Sequence, residues 1–297
     1  MKLQRLLYFT TVIDCSTFTA AAQKLHISQP SLSTSIKLLE QELGFNLLDR
    51  GKGEIKLTKE GKILYQEAKR LLIHYERVSD EMERLKNNGP LELSIGIIES
   101  SKFWVSKVLA EFKKHFPDVF IRLLEAPSLE DVEKALDSFE IHLAITNQFI
   151  HKQYIQSIPL YDERLVALLP LQHPLGYKNF ITINDLKDED FIIAKEGFQT
   201  RTDILNAFQK AGIKPKIQFE IERFETACNL VEEGLGVTVA PENYIKYINN
   251  PNFHFKRIHD GLTSRTVYLA IDNNRYLPPI ANTFISLVKK NFNKFGV

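Results

Sequence analysis

Apolar and polar positions follow three successive regimes along the chain. From residue 3 to about 43, apolar side chains recur at helical spacing in short runs. Residues 3–14 predict a first helix with Leu3, Leu6, Leu7, Phe9, Thr10 and Ile13 turned inward. Ser16 or Thr17 starts a second, whose Ala20, Ala21 and Ala22 let helices approach closely and which closes at Leu25. A third opens after Ser28, whose hydroxyl can accept from N–H groups of the first turn. Pro30 sits just inside that start, where a missing N–H costs nothing. Leu32, Ile36, Leu39 and Leu43 define its buried face, and Gly44 ends it. The opposite face presents Gln29, Ser31, Ser33, Thr34 and Lys37. Short donors and acceptors with one cation suit a helix laid in a DNA groove.

Residues 45–58 then alternate apolar and basic side chains around Gly51 and Gly53, which predicts a two-stranded wing. Arg50, Lys52 and Lys56 are placed there to meet phosphates, contacts that position a protein without reading sequence. The second regime is one long helix over 58–87. Leu64, Ala68, Leu71, Tyr75, Val78, Met82 and Leu85 alternate four- and three-residue steps, a heptad seam between charged flanks. A helix of ~30 residues spans ~45 Å, longer than one compact domain requires, so the seam predicts dimerisation. Asn87-Asn88-Gly89-Pro90 stops it and marks a boundary.

The third regime alternates strands and helices, the mark of an α/β sheet. Strands are expected at 91–97, 119–124 and 141–145, with helices at 100–115 and 128–139. The plan then recurs, with strands at 165–169, 191–194, 217–221 and 237–240 and helices at 200–211 and 224–233. A strand at 267–271 and a helix at 277–293 return to the first lobe. The expected fold class is therefore α+β and multi-domain. It has a winged helix-turn-helix at 1–58, a dimerisation linker helix at 59–88 and two Rossmann-like α/β lobes at 91–297. Lobe I takes about 91–160 and 268–297; lobe II takes about 161–267.

Charge sharpens this division. The 297 residues carry a net charge of +1, but residues 1–65 hold nine Lys/Arg against six Asp/Glu. The basic end is the end with the helix pair, as a nucleic-acid footprint would be. The two cysteines, Cys15 and Cys228, sit among apolar neighbours and suggest no disulfide framework. No signal-peptide plan and no membrane-length apolar run is visible, so a cytoplasmic protein without membrane contact is expected.

Candidate chemistry is that of binding. There is no glycine-rich phosphate loop, and the eight histidines are scattered without metal-ligand spacing. Nothing puts a nucleophile beside a base, so neither an enzyme nor a cofactor is expected. Strand ends and helix starts of α/β lobes are the usual ligand positions. Ser100 and Ser101, Thr146 and Asn147, and Gln199 and Thr200 occupy such positions. If the lobes face each other, these residues converge on a cleft whose helix N-termini favour a small anion.

The residues resemble the LysR-type transcriptional regulators. The likeness rests on Phe9, Ser16-Thr-Phe-Thr-Ala-Ala-Ala-Gln-Lys-Leu25, Ser28-Gln-Pro-Ser-Leu-Ser33, Ile36-Lys-Leu-Leu-Glu40, Gly44, Leu47-Leu-Asp-Arg50 and Leu57-Thr-Lys-Glu-Gly61. It continues through Leu165-Val166, His173-Pro-Leu175, Asp185-Leu186 and Val231-Glu-Glu-Gly-Leu-Gly-Val-Thr-Val-Ala-Pro241. The resemblance implies lobes like those of a type 2 periplasmic-binding protein and dimers that pair into tetramers. It also implies promoter binding modulated by a small-molecule effector. Gln29, Pro30, Ser31, Ser33, Thr34 and Lys37 would face DNA, with Arg50 at the wing. Ser100, Ser101, Thr146, Thr200 and Thr226 would line the effector cleft. Expected partners are double-stranded promoter DNA, further copies of the chain, RNA polymerase and the effector. The alternative is a small-molecule-binding protein of periplasmic type without DNA function. The chain departs from the family pattern at Leu48, where Phe is usual. It departs again at Phe139-Glu140 and His142, where a Gly and then an Asp are usual.

Overall fold

The apolar runs at the start of the chain form three helices in the computed structural model, which describes residues 1–49, 55–86, 91–248, 252–259, 264–275 and 277–293. Two compact units result, Met1–Gly89 and Pro90–Val297. In the first, α1 is Leu3–Asp14, α2 Phe18–Lys24 and α3 Gln29–Leu43. Thr17 caps α2 by accepting the Ala20 N–H at 3.1 Å, and Ser28 caps α3 through the Ser31 N–H. Gly44 adopts the left-handed conformation (φ 81°) that lets the chain leave α3. Leu6, Phe9 and Val12 meet Ala21, Ala22, Leu32, Ile36 and Leu39 in one core. Leu7, expected inside, is exposed, because the inward arc of α1 runs through Leu6, Phe9 and Val12.

A short wing follows, β1 (Leu48–Asp49) paired antiparallel with β2 (Lys56–Leu57). Leu48 packs in the core position where Phe is usual. The approach to the wing is held by one buried carboxylate on α3. Glu40 accepts the backbone N–H of Leu47 at 2.8 Å and of Leu48 at 3.3 Å. Helix α4, Lys59–Lys86, then crosses this turn at Gly61, where a Cβ would collide with the Leu47 carbonyl oxygen. Lys69 pairs with Asp14 at 2.7 Å and ties α4 to α1.

The heptad seam divides here. Ala68 is buried and Leu64 half-buried in the core of the first unit. They pack in that core against α1 and are not part of a free stripe, a correction to the expected seam. Leu71, Tyr75, Val78 and Met82 are between 45 and 56 % exposed. The Leu85 side chain lies outside the described residues.

The second unit runs β3 (Glu92–Ile97), a 3-10 turn (Glu99–Ser101), α5 (Lys102–His115), β4 (Phe120–Glu125), α6 (Leu129–Asp137), β5 (Leu143–Thr146) and β6 (Ile155–Pro170). Two 3-10 turns, Pro174–Tyr177 and Ile183–Leu186, precede β7 (Asp190–Ala194), α7 (Gln199–Lys210), β8 (Lys216–Ile221) and α8 (Phe224–Glu232). The chain ends with β9 (Thr238–Pro241), α9 (Glu242–Ile245), β10 (Phe253–Arg257), β11 (Ser264–Asp272) and α10 (Pro279–Asn293).

One lobe has the strand order β6-β11-β5-β3-β4, with β3 parallel to β4 and β5 and with β11 antiparallel to its neighbours. Helices α5 and α10 cover one face through Phe112 and Phe284, and α6 covers the other through Val132 and Leu136. In the other lobe β6 pairs with β9 and β10, and β7 pairs with β8. Helix α7 packs on one face and α8 with α9 on the other.

The strand expected at 165–169 is only the second half of β6. Its first half, 155–164, pairs with β11, which itself starts at Ser264 and not at 267. Both strands therefore serve both lobes. The turn before β5 keeps its shape without glycine. Phe139 takes φ 55°, with the Arg275 guanidinium 5.1 Å from its ring centre, and His142 Nδ1 accepts the Ser94 N–H at 3.0 Å.

Glu40→Ala leaves two N–H groups at the wing approach unpaired, so thermal unfolding of the full chain should report a loss of about 1–3 kcal/mol. Glu40→Gln, which keeps an acceptor oxygen, should lose less; equal losses would mean that the negative charge and not the acceptor is what matters.

Candidate functional site

Strands β6 and β11 lie side by side with Arg265 directly opposite Glu163. Glu163 is fully buried, and its Oε2 accepts from Arg265 Nε at 2.9 Å and Nη2 at 2.8 Å. Arg265 Nη1 reaches on to Thr200 Oγ1 at 2.8 Å and Asp203 Oδ2 at 3.2 Å. One guanidinium thus ties the shared strands to the first turn of α7. Two charge-assisted hydrogen bonds on one carboxylate oxygen let the pair tolerate burial, because neither charge is left uncompensated.

A cleft of about 730 Å³ opens between the lobes, lined by strand ends and helix starts. Ser100, Asn147, Gln199 and Thr200 all line it. The Ser100 hydroxyl is buried without a hydrogen-bond partner, and so is Asn147 Oδ1. The Gln199 amide is bound to Asp203 at 2.7 Å, and the Thr200 hydroxyl accepts from Arg265.

Three expected cleft residues do not line it. The 3-10 turn sends the Ser101 hydroxyl back to the Ile98 carbonyl at 2.7 Å. Thr146 is buried at a strand end, where its Oγ1 accepts the Gln148 N–H at 3.2 Å. Thr226 lies within α8 on its exposed side.

Glu99, which sequence reasoning passed over, is central. It belongs to the lobe of β3, and its carboxylate accepts the Phe224 N–H at the start of α8 in the other lobe, at 3.0 Å. Burial raises its pKa above the usual 4.5, against the lowering effects of that N–H, Lys102 and the Tyr244 hydroxyl. A charged residue directly after a buried strand was the available signal. Glu125 also spans the lobes. Lys102 at 2.8 Å and Arg223 at 3.1 Å hold its carboxyl below the usual range. Beside the cleft, Phe103 of α5 stacks on Tyr247 with centroids 4.5 Å apart and meets Tyr244 edge-on at 5.8 Å. Burial pushes the Cys228 thiol up to about 12, so it is no ready nucleophile. Among the described residues, no group of three or more His, Cys, Asp or Glu could hold a metal ion, and no helix is long and apolar enough to cross a membrane.

The first unit carries a second candidate surface. Gln29, Pro30, Ser31, Thr34 and Lys37 are exposed on α3, and Ser33 is half-buried. Gln29, Ser33 and Lys37 recur every four residues and form one row, with Pro30 and Thr34 beside it. Lys56 is exposed on β2. Arg50 and Lys52 lie outside the described residues.

Both units match known protein families. The family model described as bacterial regulatory helix-turn-helix protein, lysR family, matches residues 3–62, and the LysR substrate binding domain matches residues 88–293. The HTH-type transcriptional regulator AlsR of Bacillus subtilis is 33% identical over 84% of this chain and 83% of its own length. The Hca operon transcriptional activator HcaR of Escherichia coli is 30% identical over 98% of each chain. Full-length BenM superposes with a TM-score of 0.61 at 28% identity, covering 100% of this chain and 98% of that one. CbnR solved with its target DNA has the same fold, with a TM-score of 0.65 at 23% identity over 98% and 99% of the two chains.

Because the fold favours protonated Glu99, its contribution to stability is greatest below about pH 4.5 and falls as pH rises from there through the raised pKa. Glu99→Gln keeps an acceptor for the Phe224 N–H and cannot ionise. Melting temperatures followed across the acid-to-neutral range should diverge in favour of the variant as pH rises; parallel curves would refute the assignment.

Proposed function

The chain belongs to the lysR family of bacterial regulatory helix-turn-helix proteins, and on that premise we propose that it binds promoter DNA through α3 and senses a small-molecule effector in the interlobe cleft. The reading rests on one juxtaposition. A single chain joins an exposed polar row on a capped helix to a cleft whose buried Ser100 hydroxyl lacks a partner. The helix-turn-helix match over residues 3–62 disfavours a binding protein without DNA function.

Gln29, Ser33 and Lys37 enter the major groove, where their short polar ends meet base edges. Pro30, Ser31 and Thr34 line the same contact. Lys56, with Arg50 and Lys52, meets phosphates and fixes the register. Two heads of a dimer occupy successive grooves, so the operator is roughly palindromic.

The exposed stripe Leu71, Tyr75, Val78 and Met82 joins two copies. Burial of each such side chain is worth about 1.5–3 kcal/mol. The dimers pair again into tetramers. In the cleft, Ser100, Asn147, Gln199 and Thr200 contact the effector. It acts by population shift, binding one arrangement of lobes and subunits better than another. It moves that equilibrium only by its difference in affinity.

A gel shift with the gene's own upstream DNA tests the DNA reading. Gln29→Ala or Ser33→Ala should weaken specific binding by about 1–3 kcal/mol while nonspecific binding survives; an equal loss on both DNAs would remove the base-reading role. Leu71→Glu should separate the dimer in sedimentation, and an unchanged mass would exclude α4 as the main contact.

A further inference from the structure

We infer that the cleft takes a small ammonium-bearing molecule, an amine or an amino acid, and not a simple carboxylate. This deepens the effector reading above and rests on it. Apart from the start of α7, the sites in the cleft that would hold an anion are filled by the protein's own carboxylates. The start of α8 is occupied by Glu99, whose carboxylate accepts the Phe224 N–H at 3.0 Å. Lys195 is paired with Glu222 at 2.7 Å, and Arg223 with Glu125 at 3.1 Å. Arg265 carries two carboxylates, Glu163 at 2.8 Å and Asp203 at 3.2 Å. Among the described residues these are the three cations that line the cleft, against seven carboxylates. Away from the start of α7, an incoming carboxylate must displace an internal one or face an excess of its own sign, even with Glu125 and Glu133 also paired to Lys102 and Lys152.

What the protein leaves open includes a hydroxyl, which can accept or donate, and two oxygens that can only accept. Ser100, only 3 % exposed, and Asn147 both line the cleft, and the Ser100 hydroxyl and Asn147 Oδ1 have no partner. Behind Arg265, Oε1 of the fully buried Glu163 has none either. A buried acceptor costs free energy until a donor reaches it. An ammonium group brings three donors and a positive charge. It can donate to Ser100 Oγ and Asn147 Oδ1 while offsetting the negative excess of the wall. Helix α7 starts without a side-chain cap, so its first turn can receive a carboxylate at the ligand's other end. That is why amino acids belong to the class. The anion expected from helix N-termini alone is thus replaced by a ligand whose positive end is essential.

The test uses the full chain and matched sets of probes: a short-chain, a longer-chain and an aromatic set, each with the amine, the amino acid, the carboxylate and the alcohol. Melting temperature, calorimetric titration and operator affinity are read for each. Within the set that fits, an ammonium-bearing member should bind at least about tenfold tighter than the matched carboxylate, and Ser100→Ala should weaken it. A carboxylate or an alcohol as the tightest binder overturns the inference and leaves the cleft an effector site. No shift with any probe, and no change in operator affinity, overturns the effector reading itself and this inference with it.

Discussion

The buried pair of Glu163 and Arg265 is the constraint on which the second unit depends. It joins β6 to β11 at the stretch where both strands leave one lobe and enter the other. Without its partner, either charge would be stranded in a dry interior at a cost of several kcal/mol. The same guanidinium holds Thr200 and Asp203, so the register of the shared strands also sets where α7 begins. The cleft is therefore built outward from an ion pair.

Around that pair the lobes are joined by contacts of differing strength. Glu99 on the Phe224 N–H is partly buried and depends on geometry, whereas Phe103 stacks on an exposed Tyr247. Glu125 between Lys102 and Arg223 is more exposed and screened. A ligand that changes the distance between lobes must act on the first kind, because exposed pairs re-form cheaply in new positions. The clasp at Glu99 also means that the start of α8 does not by itself call for an anionic ligand. An N-terminus attracts a carboxylate, and the chain supplies one itself.

The first unit solves a different problem with its long helix. The first three turns of α4 complete the core around α1 and the wing, with Ala68 buried and Gly61 forced by the Leu47 carbonyl. The later turns keep an apolar stripe in solvent. One helix thus serves as core at one end and presents an exposed apolar stripe at the other, which makes the heptad pattern continuous although its surroundings are not.

The sequence by itself determined what is local and periodic. Caps at Thr17 and Ser28, the stop at Gly44, the polar row from Gln29 to Lys37 and the alternation of the lobes all follow from side-chain spacing and backbone preference. Of the cleft, Ser100, Asn147, Gln199 and Thr200 were legible as strand ends and helix starts. The tertiary structure alone decided the rest. It extended β6 back to Ile155, because Glu163 interrupts the apolar alternation and becomes buriable only opposite Arg265, 102 residues away. It turned Ser101 and Thr146 inward through short-range hydrogen bonds and left Thr226 outside. It also set Glu99 on a helix start 125 residues further along. Periodicity reports which face of an element is buried; which charge meets which, across lobes, depends on pairings that no local pattern encodes.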